Sequence, residues 1–82
     1  MTYLLASGER KAVGIKQTLR ALTQGRALQV YLALDADPLL VEDIAKEAEN
    51  RSILIVRVPA MKELGKLCGI QVPAAAAALI KG

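Results

Sequence analysis

The amino-acid sequence predicts an α/β fold in which helices cover a mixed β-sheet. Residues 27–34 and 53–58 are short runs rich in strand-forming side chains, as is typical of buried strands. Each run is followed by a helix-like segment with capping or helix-breaking residues at its ends. Strand and helix therefore alternate along the chain, and this alternation indicates an α/β layer architecture. A length of 82 residues fits a single domain, which we expect to span residues 1–82.

The first predicted elements are short. Residues 2–6 are expected to start a helix with Thr2 as its cap, and residues 11–13 are expected to form a strand that ends at Gly14. Residues 15–24 then show the spacing of an amphipathic helix. Its apolar face carries Ile15, Leu19 and Leu22, its polar face carries Lys16, Gln17, Arg20 and Thr23, and Gly25 is expected to end it.

The second predicted helix follows the strand at residues 27–34. Asp37 can cap this helix, and Pro38 suits its first position, where a missing N–H group costs nothing. The pattern continues to about residue 49. The side chains expected to face inward are Val41, Ile44, Ala45 and Ala48.

The third predicted helix begins at Pro59 and runs through about Cys68, where Gly69 stops it. The tail at residues 72–80 is ambiguous. Its alanine run favours a helix by propensity, although an isolated helix of this length is marginal. A strand of small residues packed between helices is equally compatible with the sequence.

The composition narrows the classes of function. Histidine is absent and Cys68 is the sole cysteine, so His-based catalysis and an intrachain disulfide are excluded. No apolar run is long enough to span a membrane, and the N-terminus lacks a secretory signal pattern. We therefore expect a cytoplasmic protein with no membrane association, no metal, no cofactor and no catalytic residues. Cys68 itself is expected to be plain core.

The charges are unevenly distributed. Residues 8–26 carry a balance of +4, residues 35–50 a balance of −5, and residues 51–82 a balance of +4. If the two basic segments meet in the fold, the molecule has a basic face that favours a polyanion such as nucleic acid. From the charges alone, an ordinary solvated surface is an equally good explanation.

One candidate binding group surrounds Gly14. A glycine that leads directly into a helix leaves backbone N–H groups open to a phosphate. Lys16, Gln17 and Arg20 project from the first turns of that helix, where Gln17 can read base edges and the two cations can contact phosphate or guanine. The alternative is a helix with a solvated polar face.

A second candidate group follows Gly69. Apolar Ile70 and Val72 flank Gln71, and Pro73 fixes the exit of the segment. Such a loop can present an apolar tip to an unstacked nucleotide. The alternative is a connector whose apolar side chains pack into the core. The near absence of aromatic residues argues against a base-stacking platform, so recognition of RNA would use a helix end and a loop.

With these two groups in view, the sequence resembles the kink-turn-binding ribosomal proteins of the L-seven-Ae and L-thirty-e family, especially its short bacterial members. The matching blocks are GIKQTLRAL at residues 14–22, LDADP at residues 34–38 and VPAMKELGKLCGIQVPAAAAAL at residues 58–79. Their order and spacing also match, so the resemblance covers nearly the whole chain.

The resemblance implies a three-layer α–β–α sandwich around a small mixed four-stranded sheet, with the alanine-rich tail as a strand. It implies binding of the kink-turn, a sharply bent RNA duplex with a bulge beside tandem sheared G·A pairs. The helix start would enter the groove at those pairs, and the loop would cap the bulged nucleotides. The implied RNA-binding residues are Gly14, Lys16, Gln17, Arg20, Asp35, Lys62, Ile70, Gln71, Val72, Pro73 and Ala74.

Two departures from the family pattern lie at the helix start. Lys16-Gln17 stands where archaeal members typically have Asn-Glu, and it looks like the bacterial subgroup. Ile15 replaces a commoner threonine and removes a hydroxyl near the RNA. The expected partner is structured RNA such as ribosomal RNA or a riboswitch, with the ribosome a further candidate and a monomer the expected state. The alternatives are a ribosome-associated protein-interaction module and, at lowest weight, a small-molecule enzyme.

Overall fold

The computed structural model describes residues 10–81, and the helix predicted at residues 2–6 lies outside them. Within this part of the chain, four strands alternate with three helices. The elements are β1 Lys11–Val13, α1 Ile15–Thr23, β2 Ala27–Ala33, α2 Pro38–Asn50, β3 Leu54–Val58, α3 Met61–Leu67 and β4 Ala76–Ile80. The predicted α/β alternation is therefore confirmed.

The four strands form one mixed sheet in the order β1-β4-β2-β3. Strand β2 runs parallel to β3, whereas β4 is antiparallel to both of its neighbours, β1 and β2. The ambiguous tail is thus a central strand, as the resemblance implied and against its helix propensity. Pairing on both sides satisfies the backbone of β4, and that outweighs the modest intrinsic preference of alanine for helix.

Helices cover both faces of this sheet, which gives the three layers expected. Alternate residues of β4 point to opposite faces: Ala76 and Ala78 pack with α1 and α2, and Ala77 packs with α3. All three alanines are fully buried. Small side chains at the centre of the sheet let the helices approach closely from either side.

All three helices end in the same hydrogen-bonding arrangement, in which the second residue past the cap donates back into the last turn. These are backbone hydrogen bonds: the N–H of Arg26 donates to the Ala21 carbonyl at 2.9 Å, that of Ile53 to the Ala48 carbonyl at 2.8 Å, and that of Ile70 to the Gly65 carbonyl at 3.0 Å. This arrangement requires a left-handed residue just before the donor. Gly25 and Gly69 fill that position at two ends, but at the end of α2 it is Ser52, with φ +57°.

Replacing Ser52 with glycine should stabilise the protein. A side chain in the left-handed region costs about 1–2 kcal/mol, and glycine avoids this cost. Glycine also loses more conformational entropy on folding, which cancels part of the gain. The expected net gain for Ser52→Gly is about 0.5–1 kcal/mol in the free energy of unfolding. Urea denaturation measures it, and Ser52→Ala, which keeps the strain, should show no such gain. Equal stability of the two variants would contradict the assignment.

The start of α3 differs from the prediction. The helix begins at Met61, and not at Pro59, because Ala60 is extended with φ −143° and ψ 147°. The cap is also not local in sequence: the carboxylate of Asp35 accepts a hydrogen bond from the Met61 N–H at 2.7 Å. The start of α2 is as predicted, since Asp37 accepts from the Leu39 N–H at 3.0 Å and Pro38 is the first helical residue.

The topology gathers the helix starts at one end of the sheet. Strands β1, β2 and β3 finish at this end and β4 begins there, because Val13, Leu32 and Ala33 pair with Ala77, Ala76 and Val58 respectively. We call it the Gly14 end. Each helix follows one of these three strands, so each begins here. No helix in the described range is long and apolar enough to cross a membrane.

Candidate nucleic-acid interface

Gly14 has a backbone conformation that is essentially reserved for glycine, with φ +110° and ψ 163°. Its N–H donates to the carbonyl of Ala76 at 2.9 Å, which ties the start of α1 to the start of β4. Its carbonyl accepts from the Thr18 N–H at 3.0 Å and opens the helix. The first turn of α1 is therefore held in a fixed place at the Gly14 end.

The side chain of Gln17 folds back over Gly14. A Cβ atom added at Gly14 would lie 2.7 Å from Gln17 Oε1, a distance that real Cβ atoms essentially never show. Glycine thus allows the Gln17 amide to sit beside the open end of the helix. Lys16, Gln17 and Arg20 are all exposed, so the structure presents the predicted polar face of α1 to solvent.

The start of α1 also differs in its electrostatics from the starts of α2 and α3. The first turns of α2 and α3 each hold a carboxylate, from Asp37 and Asp35 respectively. Helix α1 has no side-chain cap and no acidic residue in its first turn. Its N-terminal N–H groups and the positive end of its dipole are available to an anion from outside.

The loop after α3 is clamped onto the helix that precedes it. Gly65 is buried in the middle of α3, and a Cβ atom there would overlap the backbone carbonyl oxygen of Val72. The Ala74 N–H donates to the Met61 carbonyl at 3.0 Å, and the Ile70 N–H donates to Gly65. Residues 70–73 therefore form a fixed shape, although they contain no regular secondary structure.

This clamped loop presents part of its apolar surface. The Val72 side chain is 61 % exposed, and Gln71 and Pro73 are also exposed. Ile70 is half-buried against the core, and Ala74 is buried. Of the two residues that the connector interpretation placed in the core, Ile70 packs against it and Val72 does not; Val72 and Pro73 form the exposed apolar tip.

Two lysines of α3 stand beside this loop. Lys62 and Lys66 are four residues apart, so they lie on one face of the helix. Together with Ile70, Val72 and Pro73 they line a shallow depression of about 320 Å³. Lys66 was not among the predicted site residues, although it lies within the third matching block.

The two predicted groups lie at the same end of the molecule. The loop at residues 70–73 leads through two residues into Ala76, whose carbonyl accepts the Gly14 N–H. The cations there form no ion pair within residues 10–81; the two ion pairs of that range, Lys46–Glu42 and Arg51–Glu47, involve residues of α2 and its C-cap. The exposed cations nearest these two groups are Lys16, Lys62 and Lys66, whereas Arg20, predicted in the first turns of α1, is exposed in its last turn.

Asp35 has a clear structural task in addition to its predicted place near the RNA. Its Oδ1 accepts the Met61 N–H at 2.7 Å, which ties the end of β2 to the start of α3. Asp35→Ala should therefore lower the free energy of unfolding by about 1–2 kcal/mol, the usual cost of losing a helix cap. Chemical denaturation measures this, with Asp35→Asn as the variant that keeps an acceptor. If the two variants unfold at the same denaturant concentration, the cap is not what Asp35 contributes.

The buried titratable groups do not resemble a catalytic site. Burial raises the pKa of the Cys68 thiol and the pKa of the Tyr31 hydroxyl, so both stay protonated at neutral pH. Cys68 is buried, which confirms its expected place in the core. Among residues 10–81, no three metal-ligating side chains come together.

A model of the "Ribosomal protein L7Ae/L30e/S12e/Gadd45 family" matches residues 4–82. The chain belongs to this family. It is 46 % identical over 72 residues, 88 % of each chain, to an RNA-binding protein of Geobacillus sp. (strain WCH70). It is 44 % identical over 69 residues, 84 % of each chain, to RNA-binding protein YbxF of Geobacillus stearothermophilus.

A solved structure supports the fold. The Giardia lamblia 15.5kD RNA binding protein matches with a TM-score of 0.85 at 24 % identity, over 99 % of this chain and 68 % of that one. The resemblance read from the sequence, to the family and to its bacterial members, is confirmed. The family is one of non-catalytic proteins, so the expectation that this member is not an enzyme is also confirmed.

Besides Lys66, the sequence-based prediction missed two residues of this arrangement, Gly65 and Thr18. Gly65 could have been found, because a glycine inside an otherwise helical pattern often marks a close backbone approach. Thr18 carries no such signal: it is fully buried on the inner face of α1, and its hydroxyl has no hydrogen-bond partner among the described residues. The individual site residues stay predictions.

Proposed function

We propose that this protein binds RNA without catalysis and recognises the kink-turn. The observation that supports this most is the joint placement of the α1 start and the loop at residues 70–73 at the Gly14 end, among exposed cations that pair with no carboxylate of residues 10–81. The names of the bacterial relatives point in the same direction. A helix end and a loop can bind a bent RNA that no flat stacking surface fits.

The start of α1 would contact the sheared G·A pairs. Sheared pairs expose guanine edges that carry hydrogen-bond acceptors and donors, and Gln17 can satisfy either kind. Lys16 beside it can bind guanine acceptors or a phosphate. Because Gly14 has no side chain, the RNA backbone could approach the open N–H groups of the helix closely.

The loop would cover the bulged nucleotides. Val72 and Pro73 offer an exposed apolar surface, and Gln71 between Ile70 and Val72 can bond a base edge. Bases that leave the stack lose apolar contact, so a fixed apolar surface stabilises them. Lys62, at the start of α3, and Asp35, just after β2, would contact the same nucleotides. Ala74 would act indirectly, because its N–H donates to the Met61 carbonyl and holds the loop against α3.

The cations would neutralise phosphates that the bend brings together. Arg20→Ala should weaken binding of a kink-turn RNA and reduce the slope of log affinity against log salt by about one unit, as expected for one lost phosphate contact. Filter binding over a range of potassium chloride concentrations measures the slope. Lys46→Ala on α2 is the matched control, and it should leave the slope unchanged. If Arg20→Ala also leaves it unchanged, Arg20 does not contact phosphate.

Binding of only the bent form is what gives the protein its effect on RNA. A kink-turn exchanges between an extended and a kinked form, and a ligand shifts that balance only by its difference in affinity for the two. The proposed surface fits the kinked form alone. The proposal thus makes the protein a stabiliser of RNA architecture, acting as a single-domain monomer in the cytoplasm on ribosomal RNA, a riboswitch or the ribosome.

The direct test of specificity is a pair of RNAs. One is a kink-turn hairpin, and the other has its G·A pairs replaced with Watson–Crick pairs at equal length and charge. Calorimetry should show binding to the first at least about tenfold tighter, since non-specific binding depends on phosphate charge alone. Equal affinity would contradict kink-turn recognition. Absence of binding to both RNAs would favour the interaction-module alternative.

A further inference from the structure

A row of basic residues crosses the sheet at the end opposite the Gly14 end. Arg10 precedes β1, Arg26 precedes β2, and Lys81 follows β4. The Ile80 N–H donates to the Arg10 carbonyl at 3.1 Å, and the Lys81 N–H donates to the Arg26 carbonyl at 2.9 Å. Because Arg26 pairs with Lys81 and Arg10 pairs with Ile80, the side chains of Arg26 and Lys81 start on one face of the sheet and that of Arg10 on the other. The three cations therefore follow one another around the end of the sheet. We call this surface the Arg26 end.

An apolar depression of about 330 Å³ lies beside the row. Arg51 and Lys81 stand at its rim, while Leu22, Leu28 and Ile53 supply its apolar lining. Leu28 is 50 % exposed at the start of β2, a central strand of the sheet. The Arg26 end thus combines cations with an exposed apolar surface.

Helix stability explains only part of this arrangement. Helices α1 and α2 end here, and cations near a helix C-terminus are favourable, which accounts for Arg26 and Arg51. Arg51 also pairs with Glu47 at 2.6 Å. Arg10 and Lys81 flank the strands β1 and β4, so no helix end explains them. Carbonyl groups in the last turns of α1 and α2 already accept hydrogen bonds, for example from the backbone N–H groups of Arg26 and Ile53. These hydrogen bonds reduce the repulsion between the carbonyl groups and an approaching anion.

We propose that the Arg26 end is a second RNA-binding surface, which holds an unpaired strand. Its phosphates would follow the row Arg10, Lys81 and Arg26, and one unstacked base would cover Leu28 and Ile53. Cations that track a backbone beside an apolar surface for bases are the general features of single-strand binding. The protein measures 29 × 29 × 20 Å, so one molecule would connect two RNA segments on opposite sides.

This proposal goes beyond kink-turn recognition and rests on it in one respect. The charge of the row would also suit an acidic protein. We choose RNA because a partner already bound at the Gly14 end supplies further RNA at high local concentration. The two surfaces share no residue, so each can be tested with the other intact.

The test uses the whole protein saturated with an unlabelled kink-turn hairpin. A fluorescein-labelled oligouridylate of about twelve nucleotides, which stays unpaired and spans a typical single-strand site, is then titrated. Fluorescence anisotropy should rise with binding to the preformed complex, and the affinity should fall steeply as salt increases. Displacement of the oligouridylate by the kink-turn RNA would mean a single shared surface and would overturn the proposal.

Charge reversals locate the second surface. Arg26→Glu and Lys81→Glu should each weaken oligouridylate binding about fivefold or more, while the affinity for the kink-turn stays unchanged. Lys46→Glu is the matched control, because it changes the net charge equally on the exposed face of α2. If Lys46→Glu weakens oligouridylate binding as much as the other two, the row is not a site.

Two further outcomes separate the proposals. Oligouridylate binding that is sensitive to Arg26→Glu, in a protein that fails to bind the kink-turn, would overturn the proposed function and leave the second surface standing. Competition by polyglutamate at the same concentration as oligouridylate would make the Arg26 end a general anion surface and would overturn its assignment to RNA.

Discussion

Replacing Gly65 with alanine should destabilise the protein by about 1–3 kcal/mol, the usual cost of overpacking a filled site. Helix propensity predicts the opposite, because alanine is favoured over glycine by about 1 kcal/mol inside a helix. A steric clash decides the sign of the change in stability. The new methyl group would overlap the carbonyl oxygen of Val72, which belongs to the backbone and cannot rotate away. Urea denaturation measures the change in unfolding free energy.

The same substitution should also weaken RNA binding. Because the loop at residues 70–73 must move away from α3, kink-turn affinity should fall about tenfold or more, equivalent to one lost base contact of about 1–3 kcal/mol. Glu63→Ala, at an exposed position on the same helix, is the control: it should leave the affinity unchanged and lower stability by less than about 1 kcal/mol, through loss of an acid from the first turn. Shortening the neighbouring side chain in a Gly65→Ala, Val72→Gly double variant should not rescue the fold. A stabilised Gly65→Ala protein would show that the loop is not clamped as described.

Replacing Gln17 with alanine should weaken kink-turn binding by about 1–3 kcal/mol, with little effect on folding. The Gln17 side chain is exposed and lies over Gly14, so its removal leaves no cavity in the core. It would, however, remove the one side-chain amide at the open end of α1. Titration of a kink-turn hairpin by calorimetry measures the loss.

A second glutamine on the same helix gives the control for this experiment. Gln24 is exposed at the opposite end of α1, where it caps the helix through its backbone. Gln24→Ala should leave kink-turn affinity unchanged. A Gln17→Ala protein that binds as tightly as the parent would remove Gln17 from the site and would leave Lys16 and the backbone of α1 as the candidates there.

Local signals in the sequence were sufficient for most of the fold. Periodicity, together with Asp37, Pro38 and the helix-ending glycines, placed α1, α2 and their flanking strands to within a few residues. The tail was different, because the alanine run has the propensity of a helix and the environment of a strand. Its position between β1 and β2 depends on contacts with residues more than forty positions away, which no local window contains.

The candidate site was predictable where a residue type has a special backbone. Gly14 and Gly69 have positive φ values, and each marks one of the two groups. Interactions across long stretches of sequence were not predictable. The bond from Met61 to Asp35 spans 26 residues and moved the start of α3 from Pro59 to Met61.

The central claim is that this protein selects the kinked form of an RNA, and energy transfer across the RNA tests it most directly. Donor and acceptor dyes on the two arms of a kink-turn duplex report the bend, in buffer with too little magnesium for the RNA to bend alone. Added protein should raise the transfer efficiency of this RNA, and should leave unchanged a matched RNA with disrupted G·A pairs. Binding of the intact RNA with no rise in transfer, or an equal rise with both RNAs, would contradict the claim.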